Sequence, residues 1–307
     1  MDITALLNMM PGAAAQGLIW GVMAIGVYIT YKILDVADLT VDGTMCTGGA
    51  VFIMLTVHGA PMAAALLGAF IAGMLAGLAT GLFHTFCGIP AILAGILTQL
   101  ALYSVNLRIM GQANQPISFR NYALLVSSRN VKAMTLENPI LIGAIFCAAI
   151  VAVLYWFFGT ELGSSLRATG ANPNMARAQG IDTNFTKVLG LMLSNGLVAL
   201  SSALLAQYQG FADVNMGRGA IVIGLAAVII GEVLLSKVFR NFALLLVSVI
   251  VGSILYYVVY NVVIWLGLNT DDMKLITALI VAVFLSIPYW KGKYFDRPGK
   301  KGAGTHA

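Results

Sequence analysis

The stretch "ILIGAIFCAAIVAVLYWFFG", residues 140–159, carries no charged side chain, and runs of this kind recur along the chain. A bilayer's hydrocarbon core is ~30 Å thick and a helix rises about 1.5 Å per residue, so roughly 20 consecutive apolar residues span it. Composition agrees: 60% of the 307 residues are hydrophobic and 9% are charged, against about 25% charged in a soluble domain. Such a chain cannot cover itself for water. A β-barrel would show short alternating segments instead of continuous runs. The predicted fold class is all-α, a polytopic transmembrane helical bundle forming one domain over residues 1–290.

Nine spans are predicted, at about 13–33, 43–58, 61–84, 88–110, 138–159, 185–207, 217–235, 240–268 and 273–290. The second is short and Gly-rich, so eight or ten spans also fit. Lys and Arg accumulate on the cytoplasmic side of membrane proteins. Eleven of them lie in 32–42, 160–187, 236–240 and the tail, against six on the other side. This bias predicts an outside N-terminus, a cytoplasmic loop at 160–184 and an external loop at 111–137. The polar tail, 291–307, is expected to be cytoplasmic and disordered. "MDITALLNMMPG" has no basic segment before its first apolar run, so it does not read as a cleaved signal peptide.

No enzyme chemistry is suggested. His58, His84 and His306 are far apart, and Cys46, Cys87 and Cys147 read as small hydrophobes rather than metal or disulfide partners. Neither a catalytic motif nor a Walker A sequence occurs, so any ATP must be bound by another subunit. The net charge of +5 suits basic loops at a lipid surface, not nucleic-acid binding. Charged residues inside spans look nearly absent, with Glu232 the main exception. It is read as an interfacial carboxylate beside Lys237 and Arg240, or as a gate or intersubunit contact. Gly68, Gly73, Gly77 and Gly81 are expected to serve close helix packing.

Two breaks are less ordinary. "DLTVDGTMCTGGA" opens the second span and "ADVNMGRGA" opens the seventh, from opposite sides. Polar side chains beside glycines at such positions suggest an inverted repeat, which places transport paths at its interface. Thr44, Thr47, Asn106 and Asn215 are candidate path residues.

The loop "RATGANPNMARAQGID", residues 167–182, has a readable local structure. Asn172 is a good N-cap, Pro173 suits the first helical position, and Gly180 suits the C′ position. The bounded helix has only two turns. That is too short for stability alone in water, where about 12–15 residues are marginal, so it must pack against something.

The same stretch resembles the cytoplasmic coupling segment of ABC importer permeases of the ribose and branched-chain amino acid type. That pattern is roughly R-A-x-G-x-N-x-x-x-A-x-x-x-G-I, filled here by Arg167, Ala168, Gly170, Asn172, Ala176, Gly180 and Ile181. "KILDVADLTVDGTMCTGGAV" and "LAGILTQLALYSVNLRIMG" are similar to a narrower branch, some of it associated with aromatic amino acids such as tryptophan. The resemblance implies a permease homodimer in a bacterial inner membrane. Its partners would be a cytoplasmic ATPase dimer and an extracytoplasmic solute-binding protein. ATP and Mg would sit on the ATPase, with no cofactor in this chain. Arg167, Gly170, Asn172, Pro173, Met175, Ala176, Arg177, Gln179 and Gly180 would then form the ATPase-coupling segment. An ion-coupled secondary transporter is the alternative, and it would ordinarily show intramembrane carboxylates.

Overall fold

A computed structural model describes residues 3–118, 122, 124–131, 138–235 and 241–266. Within the last apolar run it describes 275, 278–279, 281–283 and 286. Helix α1 (Ile3–Tyr28) continues into a π-helical turn, Ile29–Ile33. It is followed by α2 (Val41–Val57), α3 (Met62–Thr85), α4 (Ala91–Met110) and α5 (Pro139–Phe158). Next come two short helices, α6 (Glu161–Ala171) and α7 (Pro173–Ala178). The long α8 (Thr183–Gln209), then α9 (Ala220–Leu235) and α10 (Phe242–Trp265), complete the described helices. Proline and glycine punctuate them. Pro61 and Pro90 sit at the N-caps of α3 and α4, and Pro139 opens α5. Gly111 and Gly210, both left-handed, close α4 and α8.

The bundle is organised around α8. Lipid offers no hydrophobic drive for one apolar helix to leave it for another, so association rests on close packing and on hydrogen bonds. Along α3, Gly73, Gly77 and Gly81 lie against Asn195, Leu191 and Val188 of the antiparallel α8. At Gly73 and Gly77, an added Cβ would overlap α8 backbone. Gly48 of α2 abuts Ala199 in the same way, in parallel orientation. Serine hydroxyls bind carbonyls of neighbouring helices: Ser194 to Gly26, Ser201 to Ile19 and Ser253 to Gly17, each at 2.7–2.8 Å. Outward faces of α3 and α4 stay apolar and exposed, as at Leu67, Ile71, Leu97 and Leu100.

Three expectations change. Among the described residues, six helices are long and apolar enough to cross a membrane: α1 with its π-turn, α3, α4, α5, α8 and α10. The second span, expected to be short, is an apolar helix of 17 residues, and the seventh is shorter than expected, at 16 residues. Nine full spans are therefore not found, and most of the predicted ninth, 273–290, lies outside the described residues, as does the tail. The all-α expectation also missed a small antiparallel ribbon. It pairs β1 (Asn114–Pro116) of the predicted external loop with β2 (Phe211–Asp213), beyond the end of α8. Finally, charge does enter the bundle. Asp38 is 3% exposed, and Asp42 is lodged between two helix N-termini.

Candidate functional site

The two polar breaks meet. Asp42, in the first turn of α2, accepts hydrogen bonds from the backbone N–H of Gly219 at 2.9 Å and of Ile221 at 3.0 Å. Those donors belong to the first turn of α9, where helical N–H groups lack intrahelical partners and the helix dipole favours an anion. Gly217 packs directly on the Asp42 carbonyl, and a Cβ there could not fit. Gly219 has φ +86°, which lets the chain turn into α9 without a side-chain penalty.

Neighbouring contacts fix the depth of this junction. Thr44 bonds Asn195 of α8, so α2 begins some ten residues, or about 15 Å, along α8 from its start. Gly224 of α9 lies against Met23 and Val27 of α1. From the junction α2 runs with α8 and α9 runs with α1, and those two helices are antiparallel. Two shorter helices therefore leave the junction in opposite directions. The segment 214–219 reaches this depth with its backbone satisfied by turns. Met216 N–H binds the Asp213 carbonyl and Arg218 N–H binds the Asn215 carbonyl.

A second polar cluster backs the first. Asp38 accepts from Thr40 N–H at 2.9 Å and from Asn195 Nδ2 at 2.7 Å. Asn195 Oδ1 accepts from Thr44 Oγ1 at 2.7 Å. Thr40, Thr80 and Thr98 continue the chain of hydroxyls, at 2.6 and 2.9 Å, into α3 and α4. All of these residues are buried. The cluster ties α2, α3, α4 and α8 together. Of its members, sequence reasoning picked out only Thr44.

Thr44 and Thr47 sit within the packed core, at 0% and 4% exposure. Thr44 serves Asn195, and Thr47 donates to the Gly43 carbonyl. Asn215 is exposed, on the turn before α9. Asn106 lines a cavity of about 280 Å3, together with Asp42, Gly43, Cys46, Gln99, Tyr103 and Arg218. Its amide donates weakly to the Gly43 carbonyl, at 3.4 Å. Its Oδ1 is buried and has no hydrogen-bond partner among the described residues. Asp42 and Arg218 carried the signal that could have found this site: charges flanked by glycines where a helix begins.

At the opposite end from the ribbon, α6, α7 and the start of α8 form a compact module. The sequence did not predict α6, but α7 takes the expected form. Asn172 accepts from the N–H groups of Asn174 and Met175 at 3.1 and 3.0 Å, Pro173 opens the helix, and Gly180 follows at φ +82°. Ala176 is buried, whereas Met175 is 63% exposed. Arg177 Nε donates to Thr183 Oγ1 at 2.8 Å, and Asp182 caps α8 through Asn184 N–H and Phe185 N–H. Gly170 abuts the Ile33 carbonyl, seating α6 on the π-turn of α1. The Arg167 guanidinium lies 4.2 Å from the ring centroid of Phe242 and 5.3 Å from that of Phe158. Gln179 is exposed at the C-cap. Glu232 pairs with Lys32 at 2.7 Å, joining α9 to the π-turn. Lys237 and Arg240, the partners expected from sequence, lie outside the described residues.

The family described as "Branched-chain amino acid transport system / permease component" matches residues 9–286. A tyrosine transport system permease protein of Clostridioides difficile is 40% identical over 272 residues, covering 88% of each chain. An uncharacterised protein of Rickettsia prowazekii is 34% identical over 282 residues, 91% of this chain and 98% of that one. Among solved structures, PsaBC from Streptococcus pneumoniae, in complex with a Fab, superposes with a TM-score of 0.55 at 16% identity, covering 96% and 99% of the two chains. That likeness concerns the fold alone. The sequence matches go further: this multi-pass membrane protein belongs to the branched-chain amino acid transport system permease family.

Proposed function

We propose that this chain is the permease subunit of an ATP-driven importer for an amino acid, most closely an aromatic one. A homodimer would work with a cytoplasmic ATPase dimer, where ATP and Mg are bound, and with an extracytoplasmic solute-binding protein. The observation that carries the reading is α7. It is a rigidly capped two-turn helix presenting Met175 outward from a module clamped to α1 and α8. Such a helix, seated in a cleft of an ATPase, passes force to α1 through the contact of Gly170 with Ile33 and to α8 through that of Arg177 with Thr183. The name of the relative with 40% identity supports an aromatic substrate.

The solute's route would pass the cavity at the junction of α2 and α9. There Asn106, Gln99 and Tyr103 offer neutral hydrogen-bonding groups, and Arg218 offers a carboxylate partner. Alternating access would come from α2 and α9 moving with α8 and α1 as the ATPases close. Buried carboxylates would be needed for an ion-coupled transporter. Asp38 is buried and Asp42 half-buried, but their oxygens are engaged in structural bonds to Thr40, Asn195, Gly219 and Ile221.

Reconstitution tests the reading. The permease, ATPase and binding protein in liposomes should accumulate labelled tyrosine only with ATP. Met175→Asp should leave the complex in the membrane while abolishing uptake. Uptake driven by an ion gradient without ATP would overturn the proposal.

A further inference from the structure

A larger cavity, about 700 Å3, lies on the other side of Arg218, between α1, α9 and α10. It extends from Gln16 and Gln209, towards the ribbon end of the bundle, to Arg218 and Gly219 at the mid-depth junction. One wall is aromatic. Trp20 and Tyr257 have ring centroids 5.8 Å apart, Tyr257 and Tyr260 are 5.9 Å apart, and Tyr256 flanks Tyr257 at 5.5 Å. Gln16, Gln209 and Asn261 supply amide groups. Its size falls in the ordinary range for small-molecule sites, roughly 300–1,000 Å3, and its make-up, aromatic walls with few polar groups, is the usual one.

Charge selects the ligand class. A cage of Trp and Tyr alone would suit an organic cation. Here no acidic side chain lines the cavity among the described residues, and the one charge on its border is the guanidinium of Arg218. Arg218 is exposed and makes no ion pair among the described residues. The N–H groups at the start of α9 are not available to a ligand carboxylate, because Asp42 already occupies them. Among the described residues, Arg218 is then the group left to read an anion in this cavity.

We infer that this cavity is a binding site for an aromatic carboxylate, its ring against Trp20, Tyr257 and Tyr260 and its carboxylate on Arg218. Gln16, Gln209 and Asn261 add polar groups along the cavity for the rest of the solute. Because Arg218 also borders the Asn106 cavity, one guanidinium serves both chambers. A solute bound in the aromatic cavity can pass to the next without leaving its charge partner. The inference rests on the importer reading and assigns the substrate class to a site.

The test uses full-length permease in detergent, with binding followed by saturation-transfer NMR. The probes are L-tyrosine, L-leucine and tyramine, which keeps the ring and amine but lacks the carboxylate. L-tyrosine should bind, and tyramine and leucine should bind at least tenfold more weakly. Arg218→Gln and Tyr260→Leu should each weaken tyrosine binding at least tenfold, while Tyr260→Phe keeps it and shows that the fold survives. Equal binding of tyramine, unchanged binding by both variants, or no tyrosine binding by the wild type overturns the site. ATP-driven uptake by the complete complex separates the two proposals. Tyrosine uptake undiminished in both variants removes the site and leaves the importer. Specific binding without any ATP-driven uptake supports the site and removes the importer.

Discussion

The carboxylate of Asp42 accepts a hydrogen bond from the backbone N–H of Gly219, 177 residues away, at 2.9 Å. With the second bond, to Ile221, a side chain of one short helix caps the other. The residue thus satisfies two orphan donors, neutralises the positive end of α9 and fixes where both helices start. Hydrogen bonds to a charged group contribute roughly 1.5–3 kcal/mol each. We predict that Asp42→Ala lowers the melting temperature of the purified permease and abolishes uptake. Asp42→Asn, which keeps one acceptor oxygen, should fall between Asp42→Ala and wild type in both assays. Equal melting of all three proteins would show that the bonds do not hold the junction.

Asn195 and Asp38 make a separate prediction. Leaving a buried group without its hydrogen-bond partner costs about 1–3 kcal/mol, and more when that group is charged. Asn195→Leu strips Asp38 of its 2.7 Å donor and Thr44 of its acceptor. It should destabilise the protein severely. Asp38→Leu combined with Asn195→Leu removes both demands and should recover much of the loss. A double-mutant cycle on denaturant midpoints checks this, and additive losses would refute the coupling.

The long elements were legible because lipid demands them. An apolar run above about 20 residues can hardly be anything but a spanning helix, and α3, α5, α8 and α10 follow from the runs that contain them. Short-range chemistry was legible too. Asn172, Pro173 and Gly180 each act through their own backbone, so their roles in α7 could be read in place. The shortness of α2 and the polar, Gly-rich starts of α2 and α9 could be read in place, but not that the two starts meet. The decisive contacts, Asp42 with Gly219 and Asp38 with Asn195, join segments more than 150 residues apart. No local pattern encodes such a partner. The ribbon of Asn114–Pro116 with Phe211–Asp213 was hidden for the same reason.

Glycine spacing along α3 predicts graded packing effects. At Gly77 a Cβ would overlap the backbone of Leu191, while at Gly81 the nearest atoms, of Val188, lie at 3.0 Å. Backbone cannot move aside as a side chain can, and overpacking costs typically about 1–3 kcal/mol. Gly77→Val should therefore lower the melting temperature more than Gly81→Ala does. At the loop position Gly59, φ +84° with open space around it, alanine meets only local strain and should cost less than Gly77→Val. Melting in detergent ranks the three, and a greater loss at Gly59 than at Gly77 would contradict close packing of α3 on α8.

The cytoplasmic module separates stability from coupling. Asn172→Ala removes two cap bonds, worth about 1 kcal/mol of helix stability, but leaves Met175 in place. Met175→Asp keeps the cap and alters only the exposed face. Gly180→Pro does more, since proline holds φ near −65° and cannot adopt +82°. It also removes the Gly180 N–H, which bonds the Arg177 carbonyl at 2.9 Å. We expect Asn172→Ala to reduce uptake partially and Gly180→Pro to abolish it. Met175→Asp should lower ATPase affinity by at least tenfold at unchanged permease melting temperature. ATPase binding by Met175→Asp at wild-type affinity would mean that α7 docks through another face. Ala176 would not supply that face, because it is buried. The exposed Arg177 and Gln179 would be the next residues to substitute.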